Sequence, residues 1–344
     1  MTGRVLAVRL DNAGDVLLTG PAIRALAARA GRVTVLAGPS GAEAARLLPG
    51  VGEVLTWRAP WADFDPPPVD PAAVTRLVTE LRSRDLDEAV IFTSFHQSPL
   101  PAALLLRLAG VRRISAISED YPGSLLDVRH RVPEHADLPE AERALSLARA
   151  AGYDLPAGDD GRLAVRRPLP DTRRLTGEEP YLVCHPGVSV PARAWLPERW
   201  RAAVAELVAA GHRVVVTGSP REIELTGAVA EAAPGVVDLG GRTSLAELAG
   251  VLDRAACAVV ANTGPAHLAA AVGTPVVSLF APVVPAPRWA PYGVPTVLLG
   301  DQEAPCRNSR ARVCPVPGHP CLTSVTALDV RAAVEKLTGE SLNA

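Results

Sequence analysis

The sequence predicts an α/β fold made of two parallel-sheet halves, and three observations predict it. Short apolar runs alternate with helical stretches of about 10–15 residues, the pattern of strands joined by crossover helices. The alternation occurs twice, before residue 154 and after residue 180. At 344 residues the chain is too long for one ordinary core.

In the first series, residues 4–9 read as a strand. A turn over 10–15 leads into an apolar-periodic helix ending near residue 30. Strands follow at 33–37, 53–57, 88–93 and 113–117, with helices near 41–48, 71–82 and 99–109. Residues 120–139 are polar and punctuated by proline, and a helix spans 139–151. Residues 154–180 are rich in Pro, Gly and charge and read as the connection between halves. The expected organisation is a first domain over 1–160, a linker over 161–180, a second domain over 181–325, and a C-terminal helix and tail over 326–344.

The second series has strands at 181–185, 213–217 and 236–239 and helices at 197–210, 220–232 and 244–252. Cys257-Ala258-Val259-Val260 then reads as a buried strand, and Ala261-Asn262-Thr263-Gly264-Pro265-Ala266-His267 opens a helix of small residues. Pro265 suits the first helical turn, where a missing N–H costs nothing. Gly273 and Pro275 end that helix before a strand over 276–280; a strand at 296–299 and a helix over 326–337 complete the series. A helix starting at the carboxyl end of a parallel strand offers free N–H groups and a partial positive charge, which together suit phosphate.

Composition narrows the function. A net charge of −2 argues against bulk nucleic-acid binding. No window holds the roughly 18 apolar residues of a membrane span. Arg9 and Asp11 interrupt the apolar run at 5–10, so no secretory signal is expected. Five cysteines, an odd number in a long chain, fit a reducing compartment. Lys336 is the only lysine, which excludes a Walker A lysine and argues against Schiff-base chemistry. Any phosphate clamp must use arginine or backbone amides.

Three motifs resemble the ADP-heptose:lipopolysaccharide heptosyltransferase family, glycosyltransferase family 9. They are Val8-Arg9-Leu10-Asp11-Asn12-Ala13-Gly14-Asp15 continuing to Ala22, His185-Pro186-Gly187 with Ser189, Arg193, Trp195 and Trp200, and Asn262 to Ala271 with Gly273-Thr274-Pro275. The resemblance covers nearly the whole chain in order and spacing. It implies a GT-B fold, two Rossmann-like domains facing across a cleft. It also implies inverting, metal-independent transfer of a sugar from a nucleoside diphosphate donor, with no cofactor.

On that resemblance Asp15 is the expected general base for the acceptor hydroxyl, although a helix N-cap is the plainer reading and Asp11 is a competing carboxylate. Asn12, Ala13, Gly14, His96 and Gln97 are expected on the acceptor side. Ser189, Arg193, Gly218, Glu222, Asn262, Thr263, Gly264, Pro265 and His267 are expected to bind the donor. Glu222 reads equally as a first-turn acid, and His267 as a satisfied buried histidine. Two departures stand out: Asn262 and Arg193 occupy places where the family often has an acid and a lysine.

Cys306, Cys314, Cys321 and His319 lack zinc-ligand spacing and read as free thiols in a loop. Asp63-Phe64-Asp65 and Asp85-Leu86-Asp87 match a short acidic metal motif that chance produces often. The reading is therefore a cytoplasmic transferase, monomeric or weakly oligomeric, moving heptose to a hydroxyl of a glycan, lipopolysaccharide core or secondary metabolite. A lipid-linked acceptor would bring it to the inner face of the membrane. The competing readings are a nucleotide-sugar 2-epimerase and a non-catalytic nucleotide-sugar binding protein.

Overall fold

The computed structural model describes residues 3–63, 65–133 and 137–339. The chain divides into two compact units between Arg166 and Arg167. The first carries β1 (Val5–Arg9), β2 (Val33–Ala37), β3 (Val51–Thr56), β4 (Glu88–Ile91), β5 (Arg113–Ile117) and β6 (Val128–His130). These form one parallel sheet in the order β3-β2-β1-β4-β5-β6. The second carries β7 (Leu182–His185), β8 (Val214–Gly218), β9 (Val237–Gly240), β10 (Cys257–Ala261), β11 (Val276–Leu279) and β12 (Thr296–Leu299). Their parallel order, β12-β11-β10-β7-β8-β9, repeats the first when each unit is counted from its own first strand.

Every residue of β1, β7 and β10 is buried. Helices cover both faces of such a sheet, so its central strands are apolar throughout rather than alternating. In the first unit, helix Gly20–Ala30 packs on helix Glu140–Ala150. In the second, helix Ala327–Thr338 packs on helix Pro197–Ala209 and on β10 to β12, so it is part of that unit. The tail beyond residue 339, grouped with that helix on sequence, lies outside the described residues. Trp200 is fully buried there and meets Trp195 edge-on at 5.3 Å, and the Trp195 indole donates to the Leu322 carbonyl.

Three local readings change. The helix expected to run to residue 30 is two helices, Ala13–Leu18 and Gly20–Ala30, hinged at Thr19. Pro21 lacks the N–H that would bond back to Leu17, and the Thr19 hydroxyl donates instead to the Asp15 carbonyl at 2.9 Å. The polar segment before residue 139 contains β6, whose three residues carry no strand-like alternation. Asp127 pins it, its carboxylate accepting from the Ile114 amide while its own amide donates to the Ile114 carbonyl. Residues 134–136 of that segment, and Phe64 of the acidic motif, lie outside the described residues. The helix expected at 220–232 starts with a tight turn, Pro220–Glu222, and its α-helical part is Ile223–Ala230.

The 161–180 segment is ordered against both units in turn. Arg166 donates to the carbonyls of Leu47 and Leu48 in the first. Thr172 is fully buried in the second, where the Pro170 carbonyl leaves no room for a Cβ on Gly250.

Two glycines set the path of the loop after β1. A Cβ on Gly38 would collide with the Leu10 carbonyl, and one on Gly41 would lie 2.7 Å from the Asp11 carbonyl and 2.6 Å from Val16 Cγ2. Gly38→Ala and Gly41→Ala should each destabilise the fold by about 1–3 kcal/mol, the usual cost of overpacking. They should also displace residues 10–12. Urea unfolding reads the first effect; unchanged midpoints would show that this approach is slack.

Candidate active site

In a parallel α/β sheet, ligands bind beyond the carboxyl ends of the strands, where crossovers leave in opposite directions. The strand orders put that point between β1 and β4 in the first unit and between β7 and β10 in the second. Most of the expected site residues fall on the four loops leaving those strands; Gly218 and Glu222 lie instead at the end of β8 and in the turn after it.

In the first unit the loop after β1 and the start of helix Ala13–Leu18 carry Asp11, Asn12, Ala13, Gly14 and Asp15. Asp15 is not the N-cap. Asn12 holds that position, makes no side-chain capping bond and is exposed. Asp15 lies in the first turn, with its carboxylate 3.1 Å from Arg9 Nη2. Arg9 ends β1 and is only 3% exposed. Its Nη2 also donates to Ser94 Oγ, on the loop after β4, and its Nε lies 3.0 Å from Asp11 Oδ2. Neither Nε nor that oxygen makes an aligned hydrogen bond, so the Arg9–Asp11 contact is one of charge.

Asp11 Oδ1 accepts from the Gln97 amide, whose carbonyl end accepts from the Ser94 backbone N–H. Burial pushes the Asp11 carboxyl above its ordinary range, with Asp15 adding to the rise and Arg9 opposing it. Burial outweighs the pairing here because little water reaches the group. Leu10, Asp11 and Asn12 also line a small cavity with Ser40, Arg58 and Asp63, the last two paired at 2.8 Å. His96 is exposed and meets Phe95 edge-on. The structure thus brings Asp15, Asp11 and Gln97 together around Arg9. Arg9 and Ser94 were not singled out as site residues on sequence. A charge inside an otherwise apolar central strand was the available signal for Arg9; Ser94 offered none.

In the second unit, β10 ends at Ala261 and helix Gly264–Val272 follows. Thr263 is its N-cap and makes no side-chain capping bond, but its carbonyl accepts from the Ala266 amide at 3.1 Å. With Pro265 carrying no N–H, Gly264 is the first-turn residue whose amide is not used in this way. The Thr263 hydroxyl is buried without a partner among the described residues. Pro265 stands in the first turn, and His267 is buried. The Asn262 side chain is committed to the fold: its amide donates to the Ala281 carbonyl and its oxygen accepts from the Ala281 N–H, each at 3.3 Å. It ties the end of β10 to the end of β11.

Arg193, on the loop after β7, donates from Nη1 to the Asn262 carbonyl at 3.1 Å. A guanidinium therefore spans the point where β7 and β10 diverge. Ser189, on the same loop, is exposed. Glu222 closes a capping box by accepting from the Ser219 amide at 2.7 Å. Its carboxylate also fills the space a Cβ on Gly187 would need, and Gly218 is held bare by Thr226 Cγ2 at 2.5 Å. His185, at the end of β7, places Nδ1 2.9 Å from Thr217 Oγ1 and Nε2 4.0 Å from Glu222. Burial pushes its imidazole down to about 4 against the pull of Glu222, so it is neutral near pH 7.

The cysteine segment lies apart from these loops in sequence. Cys306 and Cys321 are buried; burial pushes the Cys321 thiol up to about 12 and raises Cys306, which keeps both protonated. Among the described residues no group of three or more His, Cys, Asp and Glu is arranged to hold a metal ion.

The family model for glycosyltransferase family 9 (heptosyltransferase) matches residues 74–319. Lipopolysaccharide heptosyltransferase 3 of Escherichia coli is 33% identical over 175 residues, 47% of this chain and about half of that protein at 49%. Lipopolysaccharide heptosyltransferase 1 of Pseudomonas aeruginosa is 28% identical across 90% of this chain and 87% of its own length. Among solved structures, a glycosyl transferase family 9 protein of Veillonella parvula is 16% identical, covers 98% of both chains and has a TM-score of 0.77. E. coli ADP-heptose lps heptosyltransferase II is 19% identical, covers 98% of this chain and 99% of its own, and has a TM-score of 0.75. The iron-containing glycosyltransferase TibC of E. coli shares the fold at a TM-score of 0.52 and 16% identity, covering 98% of this chain and 76% of its own. With GT-B neighbours of this kind and a family match over most of its length, the chain belongs to glycosyltransferase family 9, the heptosyltransferase family, and is a glycosyltransferase.

Proposed function

We propose that the chain transfers heptose from ADP-heptose to a hydroxyl of a lipopolysaccharide-core glycan, with Asp15 as general base. Family membership supports the reaction class, and the names of the relatives support the sugar. The observation that carries the site is the Arg193 guanidinium bonded beside the start of helix Gly264–Val272. A departing diphosphate develops negative charge. Fixed N–H dipoles and an arginine stabilise that charge without having to reorganise during the reaction. Arginine also presents a fork that matches phosphate oxygens in pairs.

On this reading the acceptor oxygen gives its proton to Asp15 as it attacks the anomeric carbon, and the bond to the diphosphate breaks. Holding the reacting atoms in line supplies much of the acceleration. Asn262 shapes the donor loop through Ala281, while Thr263, Gly264 and Pro265 face the phosphates. Neutral His185 keeps Glu222 without a cationic partner at the nucleotide end, where its carboxylate can accept from ribose hydroxyls.

Asp15→Asn should lower kcat by about 10²–10⁴-fold while leaving donor affinity unchanged, since proton transfer is lost but binding is not. ADP release from ADP-L-glycero-D-manno-heptose, with heptose-free inner-core oligosaccharide present, measures the first quantity and calorimetric titration the second. Normal turnover by Asp15→Asn would remove the base assignment. Arg193→Ala should weaken ADP binding by about 10–100-fold, the loss expected of a charge-assisted contact; unchanged affinity would place the diphosphate elsewhere.

His185 carries a third expectation. A folded pKa near 4, below the ordinary 6.5, means that the unfolded chain takes up the proton first as pH falls. Stability tied to His185 is complete above pH 6.5 and is lost as pH drops towards 4. Melting temperatures between those limits should fall less steeply in His185→Gln than in the parent; parallel slopes would contradict the buried neutral state.

A further inference from the structure

We propose that Arg9 is a positioning residue for transfer, aiming Asp15, and that Asp11, braced by Gln97, fixes the orientation of Arg9. The inference rests on the reading of Asp15 as the base. Its basis is the way one buried guanidinium is shared. Arg9 Nη2 lies 3.1 Å from Asp15 and 3.1 Å from Ser94 Oγ, while Nε lies 3.0 Å from Asp11. The side chains of Arg9, Asp11 and Asp15 are 3%, 8% and 19% exposed, so only Asp15 of the three is open enough to meet an acceptor.

Asp11 faces inwards. One oxygen is taken by Gln97 and the other is buried against Arg9 Nε. Gln97 is in turn fixed by the Ser94 amide. The expected acceptor-side residue Gln97 therefore spends both ends of its amide inside the cluster. The chain of contacts runs from β4's loop through Gln97 and Asp11 to Arg9, and from Arg9 to Asp15. It holds the guanidinium in one rotamer, which keeps Nη2 in place against Asp15.

The charged groups gathered here are Arg9 from β1, Asp11 from the loop, Asp15 from the first helix turn, and Glu140 and Arg143 from helix Glu140–Ala150. Arg9 is the buried cation that both aspartates share, so its position sets where the Asp15 carboxylate rests.

The test uses the full-length chain, ADP-heptose and inner-core oligosaccharide, with folding checked by circular dichroism. Arg9→Met should cut kcat about 100-fold with donor KM within about twofold of the parent, because the aim of the carboxylate is lost while donor binding is not. Arg9→Lys should recover only part of kcat, because charge returns without the planar guanidinium. Asp11→Asn should cut kcat about 10-fold, again with donor KM within about twofold of the parent, because Arg9 Nε loses its opposing charge. Because burial already disfavours the charge on Asp11, this isostere should fold and keeps the test decisive if Arg9→Met does not. If Asp15→Asn is inactive yet folded Asp11→Asn and Arg9→Lys both match the parent in kcat, Arg9 is structural only and the inference falls. If Asp15→Asn turns over normally, the base assignment itself has failed.

Discussion

A parallel sheet buried on both faces leaves its polar chemistry few places to go, and the rest of the structure depends on that constraint. Backbone groups within the sheet are paired, and side chains on its central strands are packed. Only the loops at the carboxyl ends are free to carry function. Both units use the same strand order, so both open a gap beside their own first strand. Arg9 and His185, the last residues of β1 and β7, are the polar groups that each core delivers to its gap.

The two gaps are furnished differently. The first unit concentrates ionisable side chains: Arg9, Asp11 and Asp15 within contact distance, backed by Glu140 and Arg143. The second relies mainly on dipoles and one spanning arginine, with its histidine kept neutral. A buried cluster of this kind is a poor way to gain stability, since desolvating charges offsets much of their attraction. The raised carboxyl of Asp11 is the local sign of that cost. Its presence is explained by what it orients.

Much of this was legible in the sequence. The alternation of apolar runs and helices located eleven of the strand positions closely, because buried parallel strands are short, apolar and bounded by turns. β6 was hidden because Val128-Arg129-His130 is held by Asp127 and by the Arg129 guanidinium on the Ser118 carbonyl rather than by its own pattern. The helix break at Thr19 followed from Pro21, which sequence reading had absorbed into one helix. At the site, motif order placed the loops, but partners could not be read from spacing. Asn262 was recognisable as a departure, whereas its pairing with Ala281 needed the approach of two strand ends. Arg9 lay within a quoted motif, yet its partner Ser94, and the Gln97 that holds Asp11, come from more than 80 residues away.

On the proposed function a pyrophosphate sits on the start of helix Gly264–Val272, beside Arg193, and a crystal structure of the full chain with ADP would show it. Phosphate oxygens should lie about 3 Å from the Arg193 guanidinium and from the Gly264 amide at the start of that helix. ADP ordered at another surface, with residues 263–267 and Arg193 untouched, would contradict it.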